Sequence, residues 1–495
     1  MENPRLGFLI WGKRRLVTIK KTFLLLAAVL VFLNSAGASG GDRYLLLDSR
    51  LIASTENAKL TLGKVQKSKF NPLFEEDKPW EKRFDNLYAN VIYDEEERIY
   101  KCWYSPFIVD NSAKGMSLEQ RKKVKYEAPD EREMAICYAT SKDGLTWVKP
   151  ELGIVEYEGS KANNILWRGS EDRGNLWEGP HGTGVFKDLR DPNPKRRYKA
   201  FLKAEILSVA FSADGIHWGK AISCPEADSA GDTHNNAFWA PTLGRYVGIT
   251  REWGVDGEVE WRQVARTSSS DFLRWSKSKV VLEGLNKNYQ TYAMPVFYHG
   301  GVYLGLVAIH NQEADRVWTE LAWSADTVTW NRVLAGTPLI PNSENEGDYD
   351  WGCVYAAAYP LFLKDEIRLY YGGSDGYHFG WRNGSLCLAT LRPDGFAGYT
   401  QIEPNKPAKI TTTSKVHHKG TLRLSADIGQ KGYAKVRVFD ERNDLAAESE
   451  LLKGNLSDEK VGWRGGFSFD KLGKKPAQIQ FEFQDATIYS FSFVE

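Results

Sequence analysis

From Asp85 to about residue 403, apolar positions come in short runs that alternate with polar ones and are rich in β-branched and aromatic residues. Leu87–Tyr93, Ile99–Tyr104 and Met134–Thr140 form one set of such runs. Thr183–Phe186, Tyr198–Lys203 and Leu207–Ser212 form a second, and Asn236–Ala240, Tyr246–Thr250, Arg262–Thr267 and Val280–Leu282 a third. Two more sets follow: Ala293–Tyr298, Val302–Ile309 and Thr319–Trp323, then Val354–Leu363, Ile367–Tyr371 and Ser385–Thr390. Alternation at period two, with turn residues between the runs, predicts half-buried strands. No stretch here shows the 3.6-residue period of an amphipathic helix.

The third run of each set leads into a repeated phrase. It reads Ser141-Lys-Asp-Gly-Leu-Thr-Trp147, Ser212-Ala-Asp-Gly-Ile-His-Trp218, Ser269-Ser-Asp-Phe-Leu-Arg-Trp275 and Ser324-Ala-Asp-Thr-Val-Thr-Trp330, with a fainter copy at Arg392-Pro-Asp-Gly-Phe396. The aspartates at 143, 214, 271, 326 and 394 are 71, 57, 55 and 68 residues apart. That spacing is too long for a helical solenoid unit and fits a four-stranded propeller blade with its loops. Asp-Gly makes the tight turn, and the following Trp is expected to pack between neighbouring sheets. Past Pro404-Asn-Lys-Pro407 the runs become shorter and closer, as in Gly420–Ser425, Ala434–Phe439, Gln478–Phe483 and Ile488–Val494. The expected fold is therefore all-β: a lead-in over 39–84 with one strand near Tyr44–Asp48, a five-bladed β-propeller over 85–403, and a C-terminal β-sandwich over 408–495. In the last blade a short fourth strand is expected after the phrase.

Composition narrows the function without naming it. The 495 residues include 17 Trp, and aromatics make up 13%, a density that suits blade packing and stacking on sugar rings alike. Lys+Arg 65 against Asp+Glu 64 leaves a net charge of +1, so no overall field favours nucleic acid. Lys13, Arg14, Arg15, Lys20 and Lys21 precede the apolar run Phe23 to Leu33 and then Ala36-Gly-Ala38. This reads as a signal peptide over 1–38, hence a secreted or periplasmic protein with no stable membrane insertion after cleavage. Five cysteines without a C-x-x-C pair are expected as buried free thiols, with a Cys102–Cys137 bridge as the alternative.

A propeller places the loops entering each inner strand, and those between second and third strands, on one face around the axis. The Asp-Gly turns then lie on the opposite face and are scaffold. The first face collects Asp85 before blade one, Glu178 and His181 before blade two, Asp232, His234, Asn235 and Asn236 before blade three, and Asp350 before blade five. Glu205, Arg251 and His310 follow second strands. Carboxylates supply general acid and base to a glycosidic bond, amides and Arg grip hydroxyls, and indoles stack on the ring. Asp85 is the candidate base or nucleophile, while Glu178, Glu205 and Asp232 compete for the acid, with Asp350 as an outsider. His181, His234, Asn235, Asn236, Arg251, His310 and Asp350 are the candidate substrate contacts. No cofactor is required, although His181, His234 and an acid would suit an axial divalent cation such as calcium; oxygen-only calcium sites need no histidine.

Five blades with acids at the inner-strand starts resemble the propeller clan of glycoside hydrolase families 32, 43, 62, 68, 117 and 130 over about 85–400. The phrases Tyr138-Ala-Thr-Ser-Lys-Asp-Gly-Leu-Thr-Trp147, Gly159-Ser-Lys-Ala-Asn-Asn-Ile165 and Gly231-Asp-Thr-His-Asn-Asn-Ala-Phe-Trp239 resemble those of secreted bacterial family-32-like proteins. The resemblance implies a glycosidase with a carbohydrate substrate. It carries the family's blade-one aspartate onto Asp85. Glu178-Gly-Pro-His181 stands where the family has an Arg-Asp-Pro phrase, and Asp232-Thr-His234 where it has Glu-Cys-Pro. Two other readings remain at this stage: a non-catalytic glycan-binding propeller, and a sialidase-like enzyme, for whose arginine triad only Arg251 is well placed.

Overall fold

The computed structural model describes residues 42–169, 180–473 and 475–495. The signal segment over 1–38 and Glu178 fall outside the described residues. What is described is almost wholly β, and no described helix is long and apolar enough to cross a membrane.

Each predicted set of runs forms an antiparallel group of strands. Asn90–Asp94, Ile99–Tyr104, Glu133–Ser141 and Trp147–Val148 pair in that order, with Phe107–Val109 and Ile165–Arg168 added on Glu133–Ser141. His181–Lys187, Tyr198–Lys203, Leu207–Ser212 and Ile222–Ser223 make a four-stranded sheet, as do Asn236–Ala240, Arg245–Asp256, Val259–Ser269 and Lys279–Leu282. The last two sets join in one eleven-stranded sheet through a single parallel pair, Val317 with Cys353.

Successive groups are stitched together by side-chain and backbone hydrogen bonds, most of them near their leading strands. The Asn90 amide donates to Thr183 O at 2.7 Å and accepts from Val185 N at 3.0 Å. Asn235 N donates to Gly182 O at 2.8 Å, and Asn236 Oδ1 accepts from Val296 N at 2.9 Å. The Thr319 hydroxyl donates to Val354 O at 3.0 Å, and Ala358 N returns to Ala89 O at 2.9 Å, so the fifth group meets the first. Behind the stitches lie five apolar seams, each shared by two neighbouring groups. Trp103, Tyr138, Val185 and Tyr198 fill the first, and Phe201, Val209, Tyr246 and Trp275 the second. Phe238, Val264, Val296 and Tyr303 fill the third, and Leu304, Leu321, Val354 and Tyr371 the fourth. Phe84, Val91, Cys102, Tyr370 and Leu388 join the fifth group to the first. Each such side chain contributes about 1.5–3 kcal/mol on burial, so the seams are the main source of cohesion.

The repeated phrase folds the same way four times. Ser141 Oγ accepts from Gly144 N at 2.8 Å, and Asp143 Oδ1 accepts from the backbone N–H of Leu145 and Thr146, both at 2.8 Å. Asp214, Asp271 and Asp326 repeat this with their own neighbours. The Trp that follows each of the four lies in a seam. The fifth copy behaves differently. With Arg392 in place of the serine, Asp394 turns inward and is buried, taking Arg43, His299 Nε2 at 2.8 Å and the Ser490 hydroxyl at 2.7 Å.

Three features depart from expectation. No fourth strand of the last group follows its phrase; Gln66–Lys67 and Phe74–Glu75 pair with Gly384–Leu391 instead. Residues 39–84 are thus more than a lead-in with one strand. Arg43–Leu45, Ile52–Glu56 and Ala58–Leu62 join a nine-stranded sheet with the C-terminal strands, where Thr421–Phe439 and Gln478–Val494 run side by side with two register shifts. The insertion after Tyr104 holds a short helix, Leu118–Lys123, started by a Ser117–Gln120 capping box. All five cysteines are buried and free, without a Cys102–Cys137 bridge.

Candidate functional site

The leading strands bring the polar ends of their entry loops together. The tightest local conformation is at the first of them: Asp85, Leu87 and Tyr88 take φ of +54°, +60° and +44°. Left-handed non-glycine residues cost roughly 1–3 kcal/mol each and are retained where surrounding structure fixes them. Here it is fixed by charge. The Asp85 carboxylate is gripped by Arg382, and Arg83 Nε lies 3.3 Å away. Burial pushes the Asp85 pKa up, but the guanidiniums of Arg382, Arg83 and Arg132 outweigh it and hold the group at about 2.

Asp232 is the second carboxylate of the centre. It lies 3.0 Å from Arg251 Nη1 and 2.9 Å from His181 Nε2. Burial raises its pKa, and Arg251 and His181 together hold it well below the usual carboxylate range. Arg251 is buried, donates also to Tyr292 O at 2.9 Å, and lies 4.3 Å from the Tyr292 ring centroid.

Buried tyrosines connect the two carboxylates. The Asn86 side-chain amide donates to the Tyr88 hydroxyl at 2.8 Å and the Tyr292 hydroxyl at 3.1 Å, while Arg382 donates to Asn86 Oδ1 at 3.1 Å. The Tyr88 hydroxyl pKa is raised well above its ordinary value by burial first, then by Tyr292, Asp232 and Asp85. Asn86 thus links the Asp85–Arg382 pair to the Tyr88 and Tyr292 hydroxyls, and Arg251, the partner of Asp232, packs on the Tyr292 ring. Tyr88 also packs edge-on against His181 and tilted against His234, with centroids 5.5 and 5.4 Å away.

Burial keeps three of the histidines here, His234, His310 and His378, neutral. Burial alone holds His234 at about 3, with Nε2 3.2 Å from Asn90 Oδ1. His310 is lowered by burial, against the pull of Asp315 3.1 Å from its Nε2, while the Gln312 amide contacts Nδ1 at 2.6 Å. His378 Nδ1 lies 2.9 Å from the Tyr355 hydroxyl and 3.1 Å from Arg382 Nη1, and burial with nearby Arg382 pushes its pKa far down. No group of three or more His, Cys, Asp or Glu among the described residues is arranged to hold a metal ion.

The structure thus gathers Asp85, Asp232, His181, His234, Arg251 and His310. Asn235 and Asn236 are at the centre too, and both serve structure: Asn235 Nδ2 donates to Gly231 O at 2.8 Å, and Asn236 Oδ1 accepts from Val296 N of the next strand group. Glu205 is not gathered. It sits exposed in the tight turn between Tyr198–Lys203 and Leu207–Ser212, too short to reach inward. Asp350 is elsewhere as well, fully buried against Lys67 Nζ at 2.6 Å and the Tyr371 hydroxyl at 2.8 Å. Glu178 lies outside the described residues. Arg382, Arg83 and Arg262 are not among the residues expected from the sequence, although all three sit in or beside the entry loops and the loops that follow second strands.

A cleft of about 600 Å³ adjoins the centre, between the Leu118–Lys123 helix with Tyr126 and the loop from Asp375 to Trp381. Arg83 joins cleft and centre, 4.1 Å from the Tyr126 ring centroid and 3.1 Å from Gly380 O.

No protein-family model and no curated protein matches the chain. Among solved structures it is similar to one from work on the GH130 family of mannoside phosphorylases, a family described as containing glycoside hydrolases that target β-1,2 mannosidic linkages in Candida mannan. Identity is 14%, coverage 66% of this chain and 94% of that one, and the TM-score 0.44. It is similar to a glycosyl hydrolase from Bacteroides ovatus at 14% identity, with 67% and 95% covered and a TM-score of 0.44. It is likewise similar to an N-acetylgalactosamine deacetylase from F. plautii in complex with blood group B trisaccharide, at 14% identity, with 68% and 96% covered and a TM-score of 0.44.

Proposed function

We propose that this protein is a secreted glycoside hydrolase acting on an oligo- or polysaccharide through carboxylates at the axis of a five-bladed β-propeller. Five seams, the last joining the fifth strand group to the first, support the five-bladed reading; the bent nine-stranded sheet with its own apolar core supports a C-terminal β-sandwich. One observation carries the function: Asp85 and Asp232, from the entry loops of different sheets, are joined through Arg382, Asn86, Tyr292 and Arg251 into one polar cluster, and both are held ionised there. Hydrolysis needs one ionised carboxylate and one proton donor. Neither of these two keeps a proton near neutrality, so Asp85 takes the part of base or nucleophile. Glu178, three residues before His181 in sequence, is assigned as donor.

The firm grip of arginines on both carboxylates favours one second reading, a glycan-binding propeller without turnover. Reducing-end release across a broad panel of oligo- and polysaccharides separates the two, with binding followed by calorimetry. The enzyme reading expects turnover of at least one glycan, lost by a factor of about 10²–10⁴ in Asp85→Asn and Glu178→Gln while binding persists. Unchanged activity in both variants would remove the assignment. A wild type that binds glycan and never cleaves it would establish the binding module.

A further inference from the structure

The centre carries more positive than negative charge, and one cation stands out. Arg382 and Arg83 answer Asp85, and Arg251 answers Asp232. The Asp315 carboxylate is taken up by His310 and by the Phe379 N–H at 2.9 Å. Arg262 has no carboxylate partner among the described residues: its Nη1 lies 3.1 Å from Gln290 Oε1 and its Nε meets no acceptor. Burial and the neighbouring Arg251 push its pKa down. The guanidinium is enclosed by aromatic rings, 5.0 Å from the centroid of Tyr292 and 5.1 Å from that of Trp253. A half-buried guanidinium so placed has lost hydration, and the nearby Asp232 charge is already shared by Arg251 and His181; its planar fork matches a carboxylate or an oxyanion better than a lone hydroxyl.

The adjoining cleft repeats the pattern. Phe379 belongs to both regions, since it lines the cleft and lies 5.8 Å from Arg262. One wall is aromatic, made by Trp351, Tyr377, Phe379 and Trp381, and Trp381 keeps an indole N–H without an acceptor. The facing segment supplies cations. Arg121 is neutralised by Asp375 at 2.8 Å and Lys122 by Glu346 at 3.0 Å, whereas Lys123 and Lys125 are exposed and have no carboxylate partner among the described residues.

We infer that the saccharide bound here is acidic: an anionic group on one sugar sits against Arg262, and further negative charges lie along Lys123 and Lys125 while rings stack on the aromatic wall. This rests on the glycan reading above and adds to it the class of glycan. The anionic group is a carboxylate, as in a uronic acid, or a sulfate ester; the two share the chemistry that Arg262 and the lysines recognise.

Matched pairs test it by calorimetry on the full chain. Oligogalacturonides are compared with their fully methyl-esterified forms, and carrageenan oligosaccharides with their desulfated forms; inorganic phosphate serves as the free anion. One charged member should bind at least tenfold more tightly than its neutral twin, and its affinity should fall as salt rises. The pair that shows this tells carboxylate from sulfate. Arg262→Gln should collapse that ratio to within about threefold of unity, and the surface double variant Lys123→Gln/Lys125→Gln should weaken the charged member about threefold and flatten its salt dependence. Equal binding of both twins, with no effect of either variant, would overturn the inference and leave the glycan reading intact. Binding of phosphate that depends on Arg262, without charge preference in either pair, would overturn it in favour of a free-anion site. Neutral glycans turned over while no charged glycan binds would also overturn it. Binding of no glycan of any kind would remove the glycan reading itself.

Discussion

Asp143 and Asp85 are both held at a pKa of about 2, for opposite reasons. Asp143 lies exposed in a repeated turn, where the backbone N–H groups of Thr146 and Leu145, within three residues, stabilise its charge. Asp85 is enclosed; burial works against its charge, and the balance is reversed by Arg382, which sits 297 residues away in sequence. The first is a local device, complete in a heptapeptide and repeated at Asp214, Asp271 and Asp326. The second exists only when the ring of sheets is assembled. One aspartate holds a turn together, and the other depends on the fold to stay ionised.

Arg382 is the residue on which the charge of Asp85 depends most. Arg382→Met leaves Asp85 buried with less compensation and should cost about 3–5 kcal/mol in urea denaturation. Pairing it with Asp85→Asn should recover part of that loss; a cost no larger than that of an Asp143 variant would void the comparison. The sign for Asp85 itself follows from its lowered value. Its stabilising contribution is present above the unfolded carboxylate range near ~4 and is lost as pH falls through about 2.

His234 sharpens it next. Burial holds this imidazole at about 3 against an unfolded value near ~6.5, so the unfolded chain takes up a proton that the folded one refuses. Stability should fall as pH drops from ~6.5 towards 3, by up to about 1.4 kcal/mol per pH unit. His234→Gln should flatten that part of the pH–stability curve.

Asp394 stands between the two regions, a turn aspartate drawn inside. Asp394→Asn weakens its bonds to Arg43 and His299 and should cost about 1–3 kcal/mol, seen as earlier proteolysis of the C-terminal sheet. The smallest effect belongs to Asp143→Ala, which gives up two exposed backbone hydrogen bonds worth about 0.5–1.5 kcal/mol each at most. Thermal melting should register it, and glycan binding should not change.

Legibility in the sequence follows the same division. The turns, the seam tryptophans and the five strand sets could be read because alternation and Asx-type turns act over a few residues. Asp394 could have been separated from its four relatives, because Arg392 removes the hydroxyl that accepts the turn N–H. The centre was legible only as loop positions. Asp85 and Asp232 could be placed that way, while Arg382 could not, because its partner Asp85 lies 297 residues away and no local pattern marks the pair. Glu205 was included although its turn is too short to project inward. Asp350 was misjudged for a deeper reason: its partner Lys67 comes from a two-residue strand, and so short a strand leaves no periodicity to detect.

That short strand also has a bearing on how the chain reaches its folded state. Gln66–Lys67 pairs with residues 389–390, so one of the first strands to be synthesised waits for one of the last in the ring. Until then the edge of Gly384–Leu391 stays open, and open edges invite pairing with other chains. Closure of so long a loop is expected to be the slow step of folding, in keeping with the general slowing by distant contacts. A rearranged chain in which residues 64–76 are moved to follow residue 391 would turn that late, distant pairing into a local hairpin.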